Sequence, residues 1–92
     1  MEIDKMLTIS AVHVTGETWD RLFNTICGGD DIDLCVYEKV EYGYFIHIPD
    51  DYEDREIPED LMECIKFAVE HDCVWLCLDR DAGIIKEILT YE

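Results

Sequence analysis

Basic residues are scarce in this chain. Seven lysines and arginines stand against 23 aspartates and glutamates, which gives a formal net charge of −16 over 92 residues. Nucleic acids and anionic membrane surfaces bind proteins through lysine and arginine, so a chain of this charge repels both. The imbalance excludes direct DNA or RNA binding and favours cationic partners, such as basic protein surfaces. The alternative is that the charge serves solubility alone.

Long apolar runs are also missing. No stretch approaches the ~20 apolar residues of a membrane-spanning helix, and residues 1–5 are acidic. We therefore expect no membrane contact and no signal peptide. Five cysteines are an odd number, and several occupy apolar positions, which is typical of reduced core thiols. The sequence thus predicts a cytoplasmic protein whose residues 1–92 form a single α+β domain.

Motifs that carry chemistry are absent from the sequence. It has no G-x-S-x-G, no phosphate-binding glycine loop and no H-E-x-x-H, and its one serine is Ser10. On an extended strand Cys73 and Cys77 are ~13 Å apart, too far to share a zinc whose Zn–S bonds are about 2.3 Å. A pair such as Cys35 with His47 is conceivable, but both lie in alternating segments typical of structural positions. We predict no enzymatic activity, no cofactor and no metal.

The most informative stretch that is present is the apolar run C-V-W-L-C-L at residues 73–78. It predicts a buried strand, because it is short, uninterrupted and followed by the turn-forming sequence D-R-D-A-G. Alternating polarity predicts three more strands, at residues 6–14, 34–38 and 42–48. The last two are expected to form a hairpin that turns around residues 39–41.

Two helices are predicted from apolar residues spaced three and four positions apart. The first follows Thr15 as its N-cap and ends at Gly28-Gly29, and the second begins at Pro58. The order β-α-β-β-α-β predicts a ferredoxin-like α+β sandwich, in which both helices cover one face of a four-stranded antiparallel sheet. A short C-terminal extension at residues 84–90 is expected to add an edge strand or a covering segment.

The sheet face away from the helices is predicted to be too apolar to remain in water. The residues placed on it by alternation are Cys35, Tyr37, Phe45, His47, Cys73, Trp75 and Cys77. The C-terminal extension, a second copy of the chain or a partner are the alternatives that would cover it. If the cover is a second copy, Tyr37, Phe45 and Trp75 are the expected self-association residues. Base stacking on these aromatics is disfavoured because the chain lacks cations to neutralise phosphates.

Residues 49–60 form the densest acidic run, with seven acids and one base. Together with the acidic loop before the second strand, they are predicted to bind a partner. The predicted contact residues are Asp30, Asp31, Asp33, Asp50, Asp51, Glu53, Asp54, Glu56, Glu59 and Asp60. Carboxylates spaced over a rigid scaffold imitate phosphates, and long-range attraction speeds encounter. The expected partner is therefore the basic surface of a nucleic-acid-handling protein.

Three stretches carry a family resemblance: E-Y-G-Y-F-I-H-I-P-D-D at residues 41–51, W-L-C-L-D-R-D-A-G at 75–83, and the ending T-Y-E. In them the chain resembles a family of small acidic bacterial proteins, a domain of unknown function often encoded on plasmids and other mobile elements. The resemblance implies a bacterial cytoplasm and transfers no catalytic residue. With the charge, it favours a DNA-mimicking inhibitor of anti-restriction or anti-CRISPR type. The alternative is a homodimeric domain that associates through the open sheet face.

Overall fold

The computed structural model describes residues 3–29, 31–40 and 42–91. Within these residues the chain forms four strands and two α-helices. Their bounds are β1 Met6–Ser10, α1 Gly16–Asn24, β2 Cys35–Lys39, β3 Gly43–His47, α2 Glu59–Glu70 and β4 Trp75–Asp79. The predicted order β-α-β-β-α-β and the α+β class are confirmed. Strand β1 is shorter than predicted, because the chain turns into a 3-10 helix at Ala11–His13.

The sheet is mixed, and its strand order is β1-β4-β3-β2. Strand β3 is antiparallel to both β2 and β4, whereas β1 lies at the edge and runs parallel to β4, from Met6 beside Trp75 to Ser10 beside Asp79. The predicted ferredoxin-like sandwich is therefore matched only in part: the element order agrees, but the fully antiparallel sheet is wrong because β1 and β4 are parallel. Alternation determines which residues share a face, but it does not determine which strands are neighbours. A hydrogen bond from Ser10 N–H to the Gly83 carbonyl, 3.0 Å, holds the end of β1 beside the turn after β4.

One hydrophobic core lies between the sheet and the two helices. The sheet contributes Ile9, Tyr44, Ile46, Leu76 and Leu78, and the helices contribute Leu22, Leu61, Cys64, Ile65 and Ala68. The sheet residues come from alternate positions that share a face, and those of α2 recur every three or four residues. The prediction that both helices cover one face of the sheet is therefore confirmed. Cys73, predicted on the other face, precedes β4 and is buried in this core instead.

Helix α1 starts as predicted and ends sooner. The Thr15 side chain accepts a hydrogen bond from Thr18 N–H at 3.2 Å, which makes Thr15 the N-cap. After Asn24 the helix widens into a π-helical turn, Thr25–Gly29, in which Gly28 has a φ of 90°. Glycine tolerates this left-handed conformation. Phe23, although it continues the apolar periodicity of α1, is 53% exposed.

The C-terminal segment, residues 84–91, packs on the helix side of the molecule. Ile88 is buried in the main core, and Tyr91 N–H donates to the Val12 carbonyl at 2.6 Å. The segment contains no strand in the described residues 84–91. The expectation of an edge strand is wrong, and the aromatic face of the sheet stays exposed at Tyr37 and Met6, which are 54% and 42% exposed.

His13 anchors the C-terminal segment. Its imidazole is fully buried, Nε2 accepts a hydrogen bond from Ile85 N–H at 2.9 Å, and Nδ1 lies 3.0 Å from the Leu89 carbonyl. Because Nε2 accepts the bond from Ile85, Nδ1 is the ring nitrogen that donates to the Leu89 carbonyl in this arrangement. The sequence places His13 near a strand end, where a hydrogen-bonding role is more common than a ligand or a base. That role is confirmed.

Candidate functional site

The acidic run at residues 49–60 is an ordered segment fastened to the core. Tyr52 and Ile57 pack against the core. A 3-10 turn at Tyr52–Asp54 is closed by hydrogen bonds from Asp54 N–H to the Asp51 carbonyl, 2.9 Å, and from Arg55 N–H to the Tyr52 carbonyl, 3.3 Å. The carboxylates exposed between and beside these anchors belong to Asp50, Asp51, Glu53, Asp54 and Glu56. The segment therefore presents its charges from a fixed backbone.

Arg55 joins this run to the loop before β2. Its Nε donates to Asp51 at 3.0 Å, and its Nη1 lies 3.6 Å from the Asp33 carboxylate. The hydrogen bond to Asp51 raises the pKa of Arg55. Asp33 N–H also donates to the Glu56 carbonyl at 3.5 Å. We define the acidic loop surface as Asp33, Asp50, Asp51, Glu53, Asp54 and Glu56.

The other predicted contact acids lie elsewhere. Asp31 forms an ion pair of 2.9 Å with Arg21 of α1. Glu59 is exposed in the first turn of α2. Asp30 lies outside the described residues. Asp60 binds Thr15 and Thr18 at the start of α1 with both of its carboxylate oxygens, so the structure gives it a packing role.

A cleft of about 580 Å³ opens between the N-terminal turns of the two helices and the C-terminal segment. Its carboxylates are those of Glu17, Glu59, Asp60, Glu63 and Glu87, and we define these residues as the acidic cleft. The sequence did not predict it, because Glu17, Glu63 and Glu87 belong to three separate segments. The one available signal was the spacing of Glu59 and Glu63, which places both on one side of α2. Within the described residues, no three His, Cys, Asp or Glu side chains are placed to hold a metal ion.

The open sheet face consists of register partners in rows across the four strands. The first row is Cys35, His47, Trp75 and Met6, and the second is Tyr37, Phe45, Cys77 and Thr8. The structure brings the three predicted self-association residues together. Tyr37, Phe45 and Trp75 line an apolar groove with Met6, and the Tyr37 and Trp75 ring centroids are 6.0 Å apart.

A third row closes one end of the open sheet face with an ion pair between Lys39 and Asp79. The hydrogen bond from Lys39 lowers the pKa of the Asp79 carboxyl, and the same bond raises the pKa of Lys39. The Lys39 ammonium is also 5.9 Å from the Phe45 ring centroid, within cation–π distance. The charged end of the face is thus locally neutral.

The five cysteines are free thiols in two classes. Cys64, Cys73 and Cys77 are buried, whereas Cys27 and Cys35 are exposed. Burial raises the pKa of Cys64 to about 12 and also raises that of Cys77. A thiol that resists ionisation is a poor nucleophile and a poor ligand. The prediction of core thiols is confirmed for Cys64 and Cys73, whereas Cys77 is buried on the open sheet face.

The sequence was compared with protein families, with curated proteins and with solved structures. No curated protein and no solved structure matches the chain. Among the described residues, no helix combines the length and apolarity that a bilayer span demands. The expected membership of a domain family of unknown function is confirmed. A bacterial origin and a mobile-element context stay predictions. Residues 6–92 match the C-terminal domain of a family of unknown function, DUF5983, and the chain belongs to that family.

Proposed function

We propose that the protein is a non-enzymatic interaction module that binds the basic surface of a nucleic-acid-handling protein and acts as a DNA-mimicking inhibitor. The proposal rests on the acidic loop surface, whose exposed carboxylates project from a backbone fixed at Tyr52 and Ile57. A fixed backbone lets closely spaced charges stand in for phosphates without the entropy loss of ordering a flexible tail.

The ion pairs formed by the basic residues support this proposal. Arg21, Lys39 and Arg55 each form an ion pair with a carboxylate of the same chain, so these cations are already neutralised within the protein. The acidic run also continues into the acidic cleft through Glu59, which is exposed. The negative surface therefore extends beyond one loop, and its potential attracts a basic partner at long range.

The predicted bacterial mobile-element origin suggests which class of protein is the partner. A cytoplasmic protein from a bacterial mobile element would meet restriction enzymes and CRISPR nucleases, which hold DNA in basic channels. Such channels bind through phosphate neutralisation, so a rigid array of carboxylates competes with DNA for the same cations. We therefore propose inhibition of the anti-restriction or anti-CRISPR type, without a cofactor and without direct nucleic-acid contact.

Cleavage assays with a panel of restriction and CRISPR nucleases test this proposal. The protein is expected to inhibit at least one nuclease in competition with DNA. Inhibition should weaken between about 0.1 M and 1 M salt, as the Debye length falls from about 10 Å to about 3 Å. Failure to inhibit any nuclease, together with no salt-sensitive basic partner in a pull-down, would contradict it.

A matched pair of variants separates a defined surface from net charge. The test variant neutralises the loop through Asp50→Asn, Glu53→Gln, Asp54→Asn and Glu56→Gln. The control removes the same charge from exposed positions on other elements through Asp4→Asn, Asp20→Asn, Glu38→Gln and Glu70→Gln. The loop variant should lose inhibition while the control retains most of it. Equal losses in both would show that charge alone acts.

The apolar groove supports a second function, homodimeric association through the open sheet face. Its first two rows carry uncharged side chains, so two such faces meet without opposing carboxylates despite the net charge of −16. Sedimentation velocity should show a dimer that Tyr37→Glu and Trp75→Asp dissociate. Phe23→Glu is the matched control, because Phe23 is equally exposed on α1. A wild-type monomer at high concentration would contradict this function.

A further inference from the structure

Cys35 and His47 lie directly opposite each other on β2 and β3. Opposed residues of antiparallel strands point to the same face, with Cβ atoms about 5 Å apart. A thiolate sulfur and an imidazole nitrogen are the ligands that zinc prefers, at about 2.3 Å and 2.0 Å. Two side chains this close can therefore hold one zinc ion between them. Both are exposed, so the ion reaches them from solvent.

The ligand atoms of this pair are uncommitted within the described part of the chain, where neither side chain forms a hydrogen bond. The other histidines differ. His13 uses both ring nitrogens to hold the C-terminal segment, and Nδ1 of His71 lies 2.9 Å from the Phe67 carbonyl. The His47 ring also packs edge-on against Trp75, with centroids 5.1 Å apart and planes at 73°. This contact restricts the imidazole to the surface beside the apolar groove.

Cys35 and His47 are two potential ligands, half the number that a structural zinc ion binds. Zinc in structural sites has four ligands, and among residues 3–29, 31–40 and 42–91 no third His, Cys, Asp or Glu joins Cys35 and His47. The pair shares a row with Trp75, so it borders the apolar groove of the open sheet face. Cys35 and His47 lie at the edge of the groove rather than in its lining. Two copies therefore bring two such pairs together when the twofold axis passes beside this pair and not through the centre of the groove.

We propose that Cys35 and His47 form half of a zinc site, which a second copy of the chain completes as a Cys2His2 centre. This inference deepens the homodimeric function proposed above and rests on the open sheet face being the interface. The two thiols release their protons to solvent on binding, and the two thiolates then neutralise Zn²⁺. The interface therefore gains no net charge at the metal.

Zinc titration of the chelator-treated, reduced protein tests this inference, with sedimentation velocity as the second readout. Binding should saturate at one zinc per two chains, and zinc should shift the protein to a dimer. Cys35→Ser and His47→Asn should each weaken zinc affinity by on the order of 100-fold or more. The matched controls Cys27→Ser and His71→Asn remove the other exposed thiol and the other exposed histidine, and they should bind as wild type.

Alkylation gives an independent readout. Zinc should protect Cys35 from iodoacetamide and leave Cys27 reactive. Saturation at one zinc per monomeric chain, retained affinity in Cys35→Ser, or no binding at micromolar zinc would each overturn the shared site. The chelator-treated protein separates the two ideas. If the metal-free protein is a dimer that Tyr37→Glu dissociates, association through the open sheet face is supported even when zinc fails to bind. A metal-free monomer that zinc dimerises supports the shared site and contradicts only metal-independent association.

Discussion

The Asp60 carboxylate accepts a hydrogen bond from the Thr15 backbone N–H at 2.8 Å, so an acid in the first turn of α2 contacts the N-cap residue of α1. Its other oxygen accepts from the Thr18 hydroxyl, also at 2.8 Å. These two bonds fix the start of α1 against the start of α2. A residue predicted as a partner contact is therefore part of the helix packing.

Asp60→Ala should lower the free energy of unfolding by about 2 kcal/mol, because the Thr15 N–H and the Thr18 hydroxyl would lose a charged acceptor in a partly buried site. Chemical denaturation measures the change. Glu59→Ala is the control, since Glu59 is exposed in the same helical turn, and it should cost under about 0.5 kcal/mol. Equal effects of the two substitutions would contradict the capping role.

His13→Ala should release the C-terminal segment. The substitution removes the acceptor for Ile85 N–H and the donor for the Leu89 carbonyl in a fully buried position, which costs about 2 to 3 kcal/mol. Hydrogen exchange should accelerate most at residues 84–91. His71→Ala serves as the control, because His71 is exposed at the end of α2. Unchanged exchange in the segment would show that His13 does not anchor it.

The local features of this fold were predictable from the sequence. Alternation assigns Tyr37 and Phe45 to one face and Ile46 to the other, because successive side chains of a strand point to opposite sides. The N-cap at Thr15 and the start of α2 after Pro58 follow from residue preferences within a single turn. All of these signals act over a few residues.

The predictions that failed concern features that depend on contacts between residues distant in sequence. The parallel pairing of β1 with β4 joins Ser10 to Asp79, and no local pattern records which edge β1 occupies. The inward turn of Asp60 likewise depends on Thr15, 45 residues away. In a chain with 23 acids, composition does not show which carboxylates are spent on structure and which remain exposed.

Gly43→Ala should disrupt the pairing of β3 with β4. A Cβ at Gly43 would lie 1.9 Å from the Leu78 carbonyl oxygen, so the backbone of one strand has to move. We expect a loss of at least about 3 kcal/mol in the free energy of unfolding. Gly83→Ala is the matched control, because a Cβ there has no neighbour within 4 Å. A Gly43→Ala variant as stable as the control would contradict the close approach.

The two exposed cysteines should react with a thiol reagent, and the three buried cysteines should not. In the native, metal-free protein, iodoacetamide should modify Cys27 and Cys35, while Cys64, Cys73 and Cys77 react only after denaturation. Burial holds the pKa of Cys64 at about 12, so its thiolate is scarce at neutral pH. Peptide mass spectrometry locates the adducts. Rapid native modification of Cys64 would show that α2 opens readily.

Asp79→Asn should change how stability depends on pH. The hydrogen bond from Lys39 lowers the pKa of Asp79 from its ordinary value of 3.8, so this carboxylate stabilises the fold above the unfolded pKa. That contribution is lost as the pH falls through the folded value. The same bond raises the pKa of Lys39 above 10.5, so its contribution is lost as the pH rises through the folded value. The free energy of unfolding of the wild type should therefore exceed that of Asp79→Asn by a constant margin between about pH 5 and 9.

Denaturation at a series of pH values tests this dependence, and the margin should shrink in both acid and alkali. Asp81→Asn is the control, because Asp81 is exposed and its backbone N–H donates to Asp79 whichever side chain it carries. It should follow the wild-type curve. A margin for Asp79→Asn that persists unchanged in acid would mean that the Lys39 ion pair is not its source.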